Sequence, residues 1–119
     1  MWTIEYQETN LVSRHRGTLP VVLTCPHNGG QKPEDVTRRG GGPEGCPRPS
    51  VTADLNTRDI TTRVAQRLLD LFGEAPYVVI AEFHRKYIDV NRADQPLNCA
   101  YEVPAAKQYY EEYHNTARG

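Results

Sequence analysis

Residues 54–83 read DLNTRDITTRVAQRLLDLFGEAPYVVIAEF, and they contain both kinds of regular structure in one continuous stretch. Ile60, Val64, Leu68 and Phe72 recur four apart with Ala65 and Leu69 beside them, which predicts an amphipathic helix with that stripe toward a core. Asn56 or Thr57 is suited to cap its start, and Gly73 stands where helices commonly stop. The apolar, β-branched run Pro76–Phe83 then has the length and composition of a strand. Upstream, PVVLTC (residues 20–25) is a second short apolar run bounded by prolines, and it reads as a strand buried on both faces. Strand, helix, strand predicts an α/β fold in which the two strands lie parallel and close together across a right-handed crossover.

Outward from this unit, WTIEYQ at residues 2–7 alternates as a half-exposed strand does. Residues 31–49, QKPEDVTRRGGGPEGCPRP, are dense in Gly, Pro and charge and predict a long surface loop of the kind that often carries function. Pro104 opens a last helix in which Ala106, Tyr109, Tyr110 and Tyr113 fall at helical spacing. That segment is expected to expose aromatic surface and to make the chain associate.

At 119 residues the chain suits one domain or part of one. A hydrophobic fraction of 38% and a mean hydropathy of -0.67 leave no apolar run of the roughly 20 residues a membrane helix needs. The N-terminus lacks a basic start and a continuous apolar core, so a cytoplasmic location is expected by default. With a net charge of -1 and both signs interspersed, neither nucleic acid nor an acidic membrane is an expected partner. A small molecule is. Cys25, Cys46 and Cys99 are odd in number and widely spaced, which predicts free thiols rather than a disulfide or a structural zinc site.

In open α/β sheets the ligand crevice lies beyond the carboxyl ends of the parallel strands. Both predicted strands run into polar, histidine-bearing segments there, PHNGG after the first and HRKYIDVNR after the second. His27 suits a neutral imidazole metal ligand, and the glycines behind it let the loop turn away. Asp54, ahead of the helix, is a carboxylate able to return to the same rim. In the second segment Arg85 and Arg92 offer planar forks for a carboxylate, and Asn91 adds a neutral donor. The competing reading is a solvated basic loop with Asp89 and Asp94 as ion-pair partners. His84 reads either as a wall of the site or as a histidine hydrogen-bonded to Asp89 or to backbone. The Gly-rich RRGGGPEG has neither the Gly-Lys-Ser/Thr nor the following helix of a phosphate loop.

Taken together, TCPHNGG, ADLNTRDIT and FHRKYIDVNR resemble the N-formylglutamate amidohydrolase family, over about Val21 to Asn115. The resemblance implies a mostly parallel or mixed sheet with flanking helices, in the phosphorylase/hydrolase-like fold of the zinc carboxypeptidases and aspartoacylases. It implies zinc-dependent hydrolysis of an N-acyl amino acid, with His27 and Asp54 as metal ligands and Asp59 or Glu34 as alternatives to Asp54. Arg85, Asn91, Arg92 and His84 are implied to face a small-molecule carboxylate substrate. His84 stands where family members often have a small hydroxyl residue, and the Gly-rich loop is outside the pattern. The family's third ligand, a histidine in an Asp-x-His segment, and its catalytic glutamate come later, and His114 does not resemble either. Residues 1–119 are therefore expected to be the N-terminal portion of a single incomplete hydrolase domain. A non-catalytic module that holds a carboxylate without metal is the alternative.

Overall fold

The structure, a computed structural model, describes residues 2–40, 46, 49–94 and 99–119; most of the Gly-rich run, residues 41–45, lies outside them. Its centre is a four-stranded mixed sheet ordered β1-β2-β4-β3. β1 (Gln7–Thr9) and β2 (Val12–His15) form a hairpin, and β2 runs antiparallel to β4 (Tyr77–Ala81). β3 (Val22–Cys25) pairs with β4 in parallel, Val22 with Tyr77 through Cys25 with Ile80. Helix α1 (Thr57–Phe72) connects those two strands, and α2 (Lys107–Arg118) follows a single 3-10 turn at Pro104–Ala106. The expected α/β unit is thus present, and the sheet is mixed.

β4 lies between β2 and β3, and its last four residues are all buried. Because side chains alternate across a strand, it feeds two cores. Val78 and Ile80 join Ile4, Cys25, Ala65 and Ala75 beside α1, whereas Val79 and Ala81 join Val12, Phe83, Ile88, Tyr109 and Tyr113 beside α2. Helices therefore cover both faces.

Four readings are corrected. Residues 2–6 are not a strand: Ile4 does turn inward, but its N–H donates to Gln66 Oε1 on α1 rather than to a ladder. The hairpin lies just beyond, closed by Asn10 and Leu11 at φ 50° and 58°. Both central residues of such a two-residue turn need positive φ, for which Asn-Gly is the usual signal. Leucine hides it. Leu11 packs partly against the core and its carbonyl accepts from the Glu82 N–H, which offsets the cost of its conformation. Second, β3 is an edge strand, and of its residues only Cys25 is buried. Third, α1 is rotated from its expected pose. Ala65 and Leu69 point inward, while Ile60, Val64, Leu71 and Phe72 are exposed. Fourth, α2 buries Tyr109 and Tyr113 instead of displaying them.

The helix ends are built as expected at one end only. Gly73, at φ 71°, donates its N–H to the Leu69 carbonyl. At the start neither Asn56 nor Thr57 caps by side chain; Asn28, from the loop after β3, accepts the Arg58 N–H at 2.8 Å. The thiol reading also fails. Cys46 and Cys99 form a disulfide, and Cys25 is free and buried. Spacing along the chain cannot show that two loops 53 residues apart meet. Disulfides mark oxidising compartments, so the cysteines lend no support to a cytoplasmic location. No helix among the described residues is long and apolar enough to cross a membrane.

Candidate functional site

The loop leaving β3 carries His27 onto the carboxyl ends of β3 and β4. It reaches there by running beside the exit of β4: Gln31 forms a parallel bridge with Phe83, donating its N–H to the Glu82 carbonyl and accepting from His84. Gly29 makes this approach feasible, because a Cβ there would lie 2.2 Å from the Glu82 carbonyl carbon. So Gly29 serves close packing more than turning.

His27 is 4% exposed, and both its ring nitrogens face carboxylates. Nε2–H donates to Asp89 Oδ1 at 2.7 Å, while Nδ1 lies 3.2 Å from Asp54 Oδ2. Backbone pins the second contact, since the Asp54 N–H donates to the His27 carbonyl at 2.9 Å. The two acids differ sharply in setting. Asp54 has a side chain 53% exposed on the rim, and Asp89 is fully buried.

Asp89 is held on every side. Arg85 Nε donates to its Oδ2 at 2.9 Å, the Asn91 N–H donates to Oδ1 at 2.9 Å, and its own N–H donates to the Ala100 carbonyl. Burial by itself would raise its carboxyl, but the hydrogen bonds from His27, Arg85 and Asn91 outweigh that and hold it well below the ordinary carboxylate range. A carboxylate held ionised accepts only, so Nε2 carries a proton. Nδ1 faces the Asp54 carboxylate oxygen. Two acceptors do not sit at such a distance without positive charge between them, from a proton or from a metal ion.

The Nδ1–Oδ2 separation is compatible with two of the ligands of a zinc ion. Two donors each about 2.0–2.1 Å from a tetrahedral zinc lie about 3.3 Å apart, close to the Nδ1–Oδ2 separation. A ligating histidine typically has its other nitrogen fixed by a carboxylate that is itself hydrogen-bonded, which is the part Asp89 plays in the geometry. Among the described residues no group of three or more His, Cys, Asp or Glu is disposed to hold a metal ion.

The other candidates separate. Asp59 is spent on an exposed pair with Arg63, and Glu34 is exposed. Arg85, expected to grip substrate, instead points inward, with Nε on Asp89, Nη1 on the Thr52 carbonyl and a side chain 12% exposed. Asn91 and Arg92 remain exposed beside it, Arg92 giving Nη1 to its neighbour's carbonyl. His84 accepts the Lys86 N–H on Nδ1, and burial together with the Lys86 and Arg38 charges lowers its pKa, keeping it neutral near pH 7. It does not bond Asp89.

Three groups escaped the sequence reading in their structural part. Asp89 was visible only as an ion-pair partner. Arg39, in the long loop, is fully buried. Glu82 joins three elements: Ser13 Oγ donates to it at 2.6 Å from β2, and Arg58 at 2.8 and 2.9 Å from α1. A cavity of about 690 Å³ lies elsewhere, at the opposite ends of β3 and β4 under Arg14, Val22, Tyr77 and Arg118. Arg14 in its wall is committed to Glu112 at 2.7 Å, and His15, also in the wall, bonds the Glu5 carbonyl rather than a carboxylate.

A mixed sheet with helices on both faces and a histidine set between two carboxylates beyond its parallel strands defines an α/β protein with a candidate site at the carboxyl ends of those strands. The chain belongs to the N-formylglutamate amidohydrolase family, whose model matches residues 19–118. No curated protein and no solved structure gives a significant match.

Proposed function

We propose that this chain forms the metal- and substrate-binding part of a zinc-dependent amidohydrolase acting on an N-acyl amino acid of the N-formylglutamate kind. The observation that carries the reading is the His27 ring, with Nε2–H fixed by buried Asp89 and Nδ1 turned to the exposed Asp54 at 3.2 Å. His27 and Asp54 would hold zinc. Bound there, it would polarise a scissile carbonyl and lower the pKa of a water to about 7. Asp89 keeps the proton on Nε2 and so presents Nδ1 as the donor atom. Arg85 holds Asp89 in place. Arg92 and Asn91, exposed on the turn that follows, orient the substrate's carboxylate by charge-assisted hydrogen bonds. Hydrolytic zinc sites use three protein ligands, so a third belongs outside the described residues.

Metal analysis and hydrolysis assays on N-formylglutamate and a panel of N-acyl amino acids test the reading. His27→Ala is expected to release zinc and abolish turnover. Arg92→Ala is expected to keep zinc and raise KM about tenfold or more, as loss of a charge-assisted contact of about 1.5–3 kcal/mol requires when binding is uniform. A His27→Ala protein that retained zinc and activity would leave a non-catalytic carboxylate-binding module as the better account.

A further inference from the structure

Arg39 is a charged side chain only 2% exposed, on a stretch without regular structure. Arginine is almost never so buried unless its charge and donors are matched. Here the match is with main chain. Nε and Nη2 both donate to the Arg85 carbonyl, at 3.2 and 2.7 Å; Nη1 donates to the Cys99 carbonyl at 3.0 Å; and Nη2 also donates to the Ser50 carbonyl. The Arg39 N–H adds a bond to the Lys86 carbonyl at 2.7 Å.

The three segments so gathered are those that place the site's carboxylates. Ser50 lies four residues before Asp54. Arg85 gives its own side chain to Asp89. Cys99 precedes Ala100, whose carbonyl takes the Asp89 N–H at 2.8 Å. Meanwhile Arg39 Nη2 stands 3.8 Å from Asp89 Oδ2, close enough to balance its charge while its hydrogen bonds are spent on carbonyls. An apolar residue could fill this volume, but it would leave three carbonyls unpaired.

We propose that Arg39 is the positioning residue of the site: its fork across the Ser50, Arg85 and Cys99 carbonyls fixes the Asp89 carboxylate against the His27 ring. This deepens the zinc reading, and its first test does not need zinc. In the metal-free protein, the His27 Nε2–H should give a protected signal in ring ¹H–¹⁵N spectra. Arg39→Met should lose it or speed its exchange with water tenfold or more. Arg39→Lys keeps the charge but has no planar fork, so it should behave like Arg39→Met. Zinc affinity, measured by competition with a chromophoric chelator, should fall about ten- to hundredfold in both, the usual cost of disturbing a ligand's supporting partner. Arg14→Met, which breaks the distant pair with Glu112, should lower Tm and move neither readout.

The outcomes separate the two readings. If His27→Ala abolishes zinc binding while Arg39→Met folds, keeps its Nε2–H protected and binds zinc within twofold of the native protein, Arg39 has no positioning role and the zinc site stands. If no protein binds zinc yet the Nε2–H is kept in the native protein and in Arg14→Met and lost in the Arg39 variants, the zinc reading falls and the positioning role stands. Should neither Arg39 variant fold cooperatively, Arg39 serves folding alone and the proposal is overturned.

Discussion

Glu82, with a side chain 12% exposed, is where β2, β4 and α1 are fastened by charge. Burial pushes its carboxyl up, but hydrogen bonds from Arg58 and Ser13 outweigh that and lower its pKa, while the same bond raises that of Arg58. A carboxylate whose folded pKa is depressed stabilises fully above its unfolded value and loses that contribution as pH falls through the folded one. Stability should therefore decline from about pH 5 downward, and Glu82→Gln should lose about 1–3 kcal/mol at pH 7 and flatten that decline. Urea melts at pH 7 and pH 4 compare the two. Gly29→Ala should cost about 1–3 kcal/mol or more by overpacking, because the Glu82 carbonyl it would strike is main chain and cannot swing aside. At this scale the sequence exposed His27 and Asp54, since each flanks a regular element whose end could be read. It concealed Asp89, Arg39 and Glu82, whose partners lie 46 to 69 residues away in several cases and leave no mark on local spacing.

β3, α1 and β4 were legible because periodicity and breakers agree over them, Gly73 closing the helix as its position implied. The face that α1 buries was not. A fourfold apolar stripe fixes a side of a helix but not which neighbour it meets, and here small Ala65 lets the helix approach the sheet while the stripe stays outside. The hairpin went unseen for want of glycine in its turn. The Cys46–Cys99 bond closes a loop across α1, β4 and Asp89. On the chain-entropy account, a link of that separation stabilises by about 4 kcal/mol. Cys46→Ser, or reduction by a dithiol, should lower the urea midpoint accordingly, and Cys25→Ser gives the comparison with the bond intact.

Across the whole molecule, the two cores on either side of β4 leave an apolar face unmatched. Ile60, Val64, Leu71 and Phe72 are exposed along α1, with Val22 exposed on the edge strand β3 and Val21 exposed just before it. Patches of this sort mark association surfaces. The tyrosines of α2 give no ground for association, since Tyr109 and Tyr113 are buried, and the exposed face of α1 is a separate ground for expecting it. Sedimentation of the isolated chain should show concentration-dependent self-association, and a Leu71→Lys, Phe72→Glu double variant should sediment as a monomer. The parallel pairing of β3 with β4 has a consequence in time as well. Parallel neighbours cannot close through a tight turn, so Cys25 and Ile80 pair only by closing the long segment that contains α1. His27 and Asp89 are 62 residues apart and meet only after that closure. Contacts so distant along the chain form slowly. The imidazole proton on Asp89 is then a clock: in refolding it should become protected with the last structural phase, after the amides of α1 and of the β1–β2 hairpin.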